Sequence, residues 1–242
     1  MKISVVIPIF NEEACLEELW KRLGPVLRET GLDFEVTLVD DASEDRTWSL
    51  IQDLHHHEPR VKGIRLAQQK GHQIAFFAGL SSAQGEAVIG MDGDLQHPPE
   101  KIPQLIEGWR EGCDLVYGFK TEQPGRNFFK KCLNQFFHRI FSLRMGSALH
   151  PETSDFQILD RALVKKVTAS WRPPVFLRCW IHFLAKNRKG IPFRAEKRFS
   201  GYSKQKFIPL FLIGVRSFLF FPTDSKPTQP NFPPPPIAER IG

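Results

Sequence analysis

Short runs of β-branched and aliphatic residues alternate with helix-length segments through the first half of the chain. Leucines recur every three or four residues between Leu16 and Leu27, as on one face of a helix. Alternating strands and helices indicate βα units, and strands that are apolar throughout are covered on both faces. The sequence therefore predicts an α/β fold with a Rossmann-like, mostly parallel sheet and helices on both faces. Strands are predicted at 3–9, 34–40, 61–66, 86–91 and 114–118, and helices at 12–28, 44–56 and 71–83.

The length, charge and cysteine pattern exclude several classes of protein. With 242 residues the chain can form a domain of catalytic size, and its net charge of +6 suits a phosphate-bearing ligand or an anionic membrane. Its four cysteines form no C-x-x-C pair, which disfavours a zinc ribbon or a redox dithiol. The N-terminus shows no signal-peptide pattern, so we expect a cytoplasmic location. Neither G-x-G-x-x-G nor G-x-x-x-x-G-K-[ST] occurs, so a bound phosphate would be held by a metal and cations.

An acidic pair follows the fourth predicted strand. Asp92 and Asp94, in MDGDLQHPPE, lie between an apolar run and a proline-led helix. Open α/β sheets bind ligands at the carboxyl ends of their strands, and hard carboxylate oxygens suit Mg²⁺ or Mn²⁺. The pair therefore predicts a metal that neutralises a departing phosphate. A solvated loop that caps the next helix is the alternative.

Two more predicted strands end in acidic residues. Asp40 and Asp41, in LVDDASEDRT, can accept hydrogen bonds from a nucleobase or ribose. The alternative is that Asp41 and Ser43 cap the next helix, with Ser43 as its N-cap. Glu12, in IPIFNEE, lies at the top of the first strand. These residues are predicted to line the same crevice as the acidic pair.

The last third of the chain is basic, then apolar, then rich in proline. Residues 186–206 carry eight basic side chains and one acid. The next segment, FIPLFLIGVRSFLFF at 207–221, contains an arginine and is shorter than the ~20 residues that span a bilayer. It is predicted to be a helix in the membrane interface, with a buried core helix as the alternative. We divide the chain into a catalytic domain at 1–206, an interfacial segment at 207–222 and a disordered tail at 223–242.

Seven motifs, taken together, resemble the family 2 glycosyltransferases of the GT-A fold. They are VVIPIFNEE, LVDDASEDRT, KGHQIAFFAGL, MDGDLQHPPE, DLVYGFK, SDFQILDR and RFSGYSK, in family order over residues 1–222. The last three resemble the branch that makes dolichyl- or undecaprenyl-phosphate mannose or glucose. This resemblance implies an inverting hexosyltransferase that uses a UDP- or GDP-sugar, a polyprenyl phosphate and Mg²⁺ or Mn²⁺. The short apolar segment and the basic stretch before it predict a peripheral location, at the cytoplasmic face of a membrane.

The resemblance implies roles for individual residues. Asp155, in SDFQILDR, is the candidate catalytic carboxylate, facing the donor's anomeric carbon or the acceptor, with helix capping as the alternative. Arg198, Ser203 and Lys204 would hold the acceptor phosphate. The nucleotide-sugar site would comprise Pro8, Phe10, Glu12, Asp41, Asp92, Gly93, Asp94, Gln96 and Lys120, with Asp92 and Asp94 on the metal.

The chain also departs from the family pattern. Relatives usually carry R-N-x-G before the third helix, where this chain has QQKG, and commonly continue into two membrane-spanning helices. Two other functions stay open: a family 2 transferase with a soluble or polysaccharide acceptor, and a non-catalytic relative that binds membranes or nucleic acid. The acidic pair argues against the second, so no nucleic-acid partner is expected. A homo-oligomer or a membrane partner subunit stays open.

Overall fold

A computed structural model describes residues 1–121, 152–196 and 235–242, and its central layer is an eight-stranded sheet. The strands are β1 (Lys2–Ile9), β2 (Asp33–Asp40), β3 (Val61–Leu66), β4 (Ala87–Gly90), β5 (Leu115–Lys120), β6 (Thr153–Asp160), β7 (Arg188–Phe193) and β8 (Ile237–Ile241). They pair in the order β7-β5-β6-β4-β1-β2-β3-β8. Six strands run in one direction, and only β6 and β8 oppose them. The predicted mostly parallel sheet is confirmed.

Helices cover both faces of the sheet, as predicted. One face carries α1 (Leu16–Glu29), α2 (Thr47–His57) and α4 (Ile102–Arg110), and the other carries α3 (His72–Ser82), α5 (Arg161–Ser170) and α6 (Leu177–Leu184). A short 3₁₀ turn, Pro99–Lys101, precedes α4. Side chains alternate along a strand, so the buried strand β1 supplies both cores. Val5 and Ile7 pack against the first set of helices and Val6 against the second.

The first two helices begin three or four residues later than predicted. Helix α1 begins at Leu16, and α2 begins at Thr47, whose backbone N–H donates to Asp45 Oδ1 at 2.9 Å. Ser43 is not the N-cap of α2. Its hydroxyl instead accepts a hydrogen bond from the backbone N–H of Asn11 at 2.9 Å. The residues predicted as the first turns of α1 and α2 therefore belong to the loops after β1 and β2, and these two loops are joined by hydrogen bonds.

The end of the chain contradicts the predicted disordered tail. Residues 237–241 form β8, antiparallel to β3. Glu239 accepts hydrogen bonds from Trp48 Nε1 at 2.9 Å and from Gln52 Nε2 at 3.1 Å. Strand β8 thus gives partners to the backbone groups of β3, which would otherwise form the edge of the sheet.

Other predicted segments lie outside the described residues. They are the interfacial segment at 207–222 and the part of the predicted tail that precedes residue 235. Within the described ranges, no helix combines the length and the apolar content that crossing a bilayer requires.

A buried acid, Glu35, lies near the start of β2, at the opposite end of the sheet from the predicted site. Lys2 Nζ and Lys62 Nζ lie 2.8 and 3.3 Å from its carboxylate. Ser4 Oγ donates a hydrogen bond to it at 2.7 Å, and the backbone N–H of Gln84 donates another at 2.8 Å. Burial raises the pKa of Glu35, but the bonds from Lys2, Ser4 and Gln84 outweigh burial and lower the pKa to about 2.

We expect Glu35→Gln to lower the free energy of unfolding by about 2–3 kcal/mol at pH 7, because the charged form is the one the folded state favours. Since the folded pKa of Glu35 lies below its ordinary 4.5, this stabilisation is present above pH 4.5 and is lost as the pH falls towards 2. Urea unfolding at pH 7, 5 and 3.5 measures it. The exposed Glu29→Gln is the control, with a change under about 0.5 kcal/mol. A Glu35 effect that stays constant over this range would contradict the prediction.

Candidate functional site

The loops after β1, β2 and β4 share a strained backbone conformation. Three non-glycine residues in the described ranges have positive φ, namely Asn11 at 50°, Ala42 at 59° and Leu95 at 63°. One follows each of these three neighbouring strands. Side chains disfavour this conformation, and backbone strain of this kind clusters at functional sites. The carboxyl edge of the sheet is therefore the candidate site, at the place where the sequence predicts it.

Hydrogen bonds join the first two loops into one wall. Asn11 Oδ1 accepts from the backbone N–H of Glu44 at 2.8 Å, and the backbone N–H of Glu12 donates to Thr47 Oγ1 at 3.0 Å. The backbone N–H of Arg46 also donates to a carboxylate of the opposite loop. Each loop therefore satisfies backbone groups of the other, and these bonds fix the two loops relative to each other.

The residues predicted to contact the nucleoside lie along this wall. Pro8 is buried in β1, and Phe10 and Glu12 follow it, each partly exposed. Asp40 is completely buried, and its carboxylate lies 3.3 Å from Arg65 Nε. Burial raises the pKa of Asp40. Asp40 therefore supports the wall from within, whereas Phe10 and Glu12 are accessible at its surface.

Asp41 holds the turn that leads into α3. Its two carboxylate oxygens accept from the backbone N–H groups of Lys70 at 2.7 Å and Gly71 at 2.8 Å. Gly71 has φ +92°, a conformation that glycine adopts without a steric cost. Burial raises the pKa of Asp41, and the two backbone bonds act in the opposite direction. This arrangement fixes the position of His72, the first residue of α3.

Three side chains from different elements meet at this edge. His72 Nε2 lies 2.8 Å from Asp92 Oδ1, and one ligand atom each of His72, Asp92 and Asp155 lies within 4.8 Å of the other two. Asp92 follows β4, whereas Asp155 lies near the start of the antiparallel β6, so both reach the same edge. An imidazole and two carboxylates suit a divalent cation. Within the described ranges, this cluster is the candidate metal site.

The charges of His72 and Asp92 change each other's pKa. Burial lowers the pKa of His72, but the hydrogen bond and the charge of Asp92 outweigh burial and raise the pKa to about 9. Burial raises the pKa of Asp92, but contacts with His97, His72 and Arg178 bring it well below its usual range. The cluster therefore holds Asp92 as a carboxylate at neutral pH, which is the form that binds a metal.

Asp155 forms a two-pronged ion pair with Arg178 of α6. Arg178 Nε donates to Asp155 Oδ1 at 2.7 Å and Arg178 Nη2 to Oδ2 at 2.6 Å, while Nη1 donates to the backbone carbonyl of Thr153 at 2.8 Å. Burial raises the pKa of Asp155, but the charge of Arg178 outweighs it and lowers the pKa. Asp155 is thus a carboxylate whose orientation is fixed. It does not cap a helix, which was the alternative.

Asp94 is not part of the three-residue cluster. It is buried at the turn, where Asp94 Oδ1 accepts from the backbone N–H of Gln96 at 3.1 Å. Gly93 is also buried there. Gln96 Oε1 in turn accepts from Lys120 Nζ at 3.3 Å, so these two predicted donor-binding side chains lie side by side. Of the predicted metal pair, Asp92 belongs to the three-residue cluster, and Asp94 as a metal ligand stays a prediction.

His97 contacts both the backbone and the side chain of Asp92, in the loop that follows β4. Its Nδ1 accepts a hydrogen bond from the backbone N–H of Asp92 at 3.0 Å, and its Nε2 lies 3.6 Å from Asp92 Oδ2. The ring is buried and stacks on Phe156, with centroids 5.4 Å apart. Burial lowers the pKa of His97. A neutral ring with its proton on Nε2 satisfies both contacts with Asp92.

The predicted phosphate-binding residues Arg198, Ser203 and Lys204 lie outside the described residues. The last described residue before them, Glu196, contacts the loop that contains Asp92 and Asp94. Its backbone N–H donates to the carbonyl of Gln96 at 3.4 Å. Glu196 is also paired with Arg22 of α1 at 2.7 Å.

The chain is similar in sequence to one family of enzymes and to several of its members. The model of the family described as glycosyl transferase family 2 matches residues 4–168. The glycosyltransferase YkcC of Bacillus subtilis is 32% identical over 221 residues, which cover 90% of this chain and 68% of YkcC. Bactoprenol glucosyl transferase of Shigella phage SfV is 29% identical, with 92% and 73% covered. Dolichol-phosphate mannosyltransferase of Pyrococcus furiosus is 35% identical, with 87% and 61% covered.

A solved structure shares the fold. Glucosyl-3-phosphoglycerate synthase of Mycobacterium tuberculosis, in complex with Mn²⁺, UDP and phosphoglyceric acid, superposes with a TM-score of 0.65. Its sequence is 20% identical, and the match covers 91% of this chain and 78% of the synthase. This likeness supports the GT-A architecture predicted from the motifs.

Proposed function

Because this chain belongs to glycosyl transferase family 2, we propose that it transfers a hexose from a UDP- or GDP-sugar to a polyprenyl phosphate, with inversion. One observation carries the proposal: His72, Asp92 and Asp155 converge at the carboxyl edge of the sheet, beside the wall formed by the loops after β1 and β2. The names of two relatives, a bactoprenol glucosyl transferase and a dolichol-phosphate mannosyltransferase, support the class of acceptor.

A divalent cation would fit this site by displacing the proton of His72, which leaves one nitrogen and two carboxylate ligands. Mg²⁺ or Mn²⁺, once bound there, would neutralise the charge that develops on the departing nucleoside diphosphate. Phe10, Glu12 and the wall between the first two loops would orient the nucleoside. Lys120, held by Gln96, would lie beside the diphosphate and add a second positive charge.

The acceptor requires little help to become a nucleophile. A phosphate monoester loses its second proton near pH ~6, so it is already anionic at neutral pH. Asp155, whose pKa is lowered, is a weak base. We therefore propose that Asp155 orients the donor sugar or the acceptor rather than deprotonating it. The phosphate oxygen attacks the anomeric carbon, the bond to the diphosphate breaks, and the nucleoside diphosphate leaves with the electron pair.

The decisive experiment is a panel of nucleotide sugars. UDP-glucose, UDP-N-acetylglucosamine and GDP-mannose are each incubated with the full chain, Mn²⁺ or Mg²⁺, and undecaprenyl or dolichyl phosphate in anionic vesicles. Radiolabelled sugar should pass into the organic phase for one donor. Label that reaches only a soluble or polysaccharide acceptor would favour the other type of family 2 transferase.

The acceptor phosphate is proposed to bind Arg198, Ser203 and Lys204, in the segment that follows Glu196. We expect Arg198→Ala or Lys204→Ala to raise the KM for polyprenyl phosphate by about tenfold or more, because each removes a charge-assisted hydrogen bond. The KM for the nucleotide sugar should change less than about twofold. Arg110→Ala, at an exposed position of α4, is the matched control. A raised donor KM with an unchanged acceptor KM would reverse the assignment.

The acceptor also suggests where the protein works. A polyprenyl phosphate lies in a bilayer, and we propose that the chain reaches it at the cytoplasmic face. The basic side chains of 186–206 would be attracted to anionic lipid, and the apolar residues of 207–222 would enter the interface.

A further inference from the structure

The last strand of the chain, β8, lies close to the loops proposed to bind the nucleoside. It pairs with β3, and the contact continues past β3, where the backbone N–H of Ala67 donates to the carbonyl of Pro236 at 2.9 Å. We propose that β8 supports nucleotide binding, and that Arg65 of β3 is the positioning residue through which it acts. The inference rests on the proposed function for the nucleotide, and it extends the nucleotide site to the end of the chain.

Arg65 holds the loop after β2 at two points. Its Nε lies 3.3 Å from Asp40 Oδ2, and its Nη2 donates to the backbone carbonyl of Ser43 at 3.1 Å. The other oxygen of Asp40 accepts from the backbone N–H of Ser43 at 3.0 Å. Between them lies Ala42, whose φ is 59°. A non-glycine residue keeps this conformation only where its surroundings hold it, and Arg65 is one of the groups that do so.

The burial of Asp40 makes the loop depend on Arg65. Asp40 is completely buried, so burial raises its pKa, whereas the bonds from Ser43 and the charge of Arg65 act in the opposite direction. A buried carboxylate that loses its cationic partner is strongly unfavourable. Removing Arg65 should therefore change the protonation of Asp40 or move the loop. Either change reaches the neighbouring loop, because the Ser43 hydroxyl accepts from the backbone N–H of Asn11.

Strand β8 and helix α2 hold Arg65 in turn. The Arg65 guanidinium lies over the ring of Trp48, 5.8 Å from its centroid, which is within the range of a cation–π contact. Trp48 Nε1 donates to Glu239 of β8 at 2.9 Å, and Glu239 lies opposite Arg65 in the register of β3 and β8. Contacts therefore run from β8 through Trp48 and Arg65 to Asp40. The competing explanation is that β8 only covers the edge of β3, which would affect stability but not nucleotide binding.

If β8 favours the form of the loops that binds nucleotide, then nucleotide must favour the paired form of β8 by the same factor. Hydrogen exchange of the full chain measures this, with Mn²⁺ and UDP or, separately, Mn²⁺ and GDP. We expect the amides of β8 to exchange at least about fivefold more slowly when nucleotide is bound. Helix α5, which carries no residue of the proposed site, is the internal control and should change less. A ligand that only stabilises the whole fold would slow both elements alike.

Variants of Arg65 and Glu239 test the contacts themselves. We expect Arg65→Met to weaken binding of UDP or GDP by about tenfold or more in isothermal titration calorimetry, because it removes a charge-assisted hydrogen bond and the partner of Asp40. Arg65→Lys keeps the charge and should recover part of the affinity. Glu239→Ala should weaken binding by about threefold, since its bond to Trp48 lies nearer the surface. Arg240→Ala, at the next and exposed position of β8, is the matched control.

Steady-state kinetics separate a positioning role from a structural one. In Arg65→Met the KM for the nucleotide sugar should rise, while the KM for polyprenyl phosphate should change less than about twofold. If Arg65→Met does not fold, the exchange measurement on the wild type decides. Exchange of β8 that slows no more than that of α5, or an unchanged nucleotide affinity in folded Arg65→Met, would overturn the inference.

The same measurements distinguish this inference from the proposed function. A wild-type chain that binds neither UDP nor GDP would refute the proposed function, and the inference with it. Transfer to a soluble acceptor only, together with weakened nucleotide binding in Arg65→Met, would refute the proposed acceptor and support the role of Arg65. Transfer to polyprenyl phosphate with equal donor KM values in the wild type and Arg65→Met would refute only the role of Arg65.

Discussion

Asp92→Asn should lower the rate of sugar transfer by at least about 100-fold while leaving the fold intact. The asparagine keeps the size of the side chain but removes the charge, and a neutral amide is a poorer ligand for a hard cation. The loss matches what a single electrostatic group at a reacting centre contributes, about 10²–10³ in rate. Steady-state kinetics at saturating Mn²⁺ and urea unfolding of the same samples measure the two effects.

Asp94→Asn is the matched comparison, because it makes the same change two residues away. The sequence predicts both carboxylates as ligands, and Asp92 also belongs to the three-residue cluster. We expect Asp94→Asn to retain more activity than Asp92→Asn and to retain its dependence on Mn²⁺. Equal losses in both variants would favour the metal pair predicted from the sequence. Wild-type transfer in Asp92→Asn would remove the metal assignment altogether.

The parts of the fold that repeat a local pattern could be predicted from the sequence. Strands β1 and β2 are continuous apolar runs, and only a strand covered on both faces buries every residue of such a run. The start of α2 was harder to predict. Ser43 has the chemistry of an N-cap, but its hydroxyl accepts from Asn11, a residue of another loop. Local propensity cannot reveal a partner that only the folded sheet brings close.

The candidate site also depends on contacts that local sequence patterns do not reveal. Asp92 and Asp155 were predicted from their motifs, but their proximity depends on β6 running antiparallel beside β4. His72 and Arg178 were missed because they meet these acids only after two helices pack on one face of the sheet. A signal for His72 was nevertheless present, since it follows a glycine at the start of a helix that faces the carboxyl edge. Arg178 has no comparable signal in the sequence.

Strand β8 shows that composition can mislead. The proline-rich approach to it predicts an extended chain without partners, but IAERI pairs with β3, and the isoleucines at its two ends are partly buried. Trp48 and Gln52 of α2 supply partners for its glutamate. The sequence did not indicate these contacts, because Trp48 and Glu239 are 191 positions apart in the chain.

The ion pair of Asp155 and Arg178 is expected to contribute to both sugar transfer and stability. Asp155→Asn should lower transfer by about 100-fold, because the group proposed to orient the donor or acceptor loses its charge. Arg178→Met should also reduce transfer, because Asp155 is then no longer held. Each single variant should lose about 2 kcal/mol of unfolding free energy, since it leaves a partly buried charge without its partner. This loss is smaller than for a fully buried pair, because Arg178 keeps a third of its side chain exposed.

The double variant separates a structural role from a catalytic one. In Asp155→Asn/Arg178→Met neither charge is left alone, so the unfolding free energy should recover towards that of the wild type. Transfer should not recover, because the carboxylate at the reacting centre is still missing. Urea unfolding and transfer rates of the four proteins complete this cycle. A double variant that regains both stability and transfer would show that the pair only holds β6 to α6, and Asp155 would then have no part in the reaction.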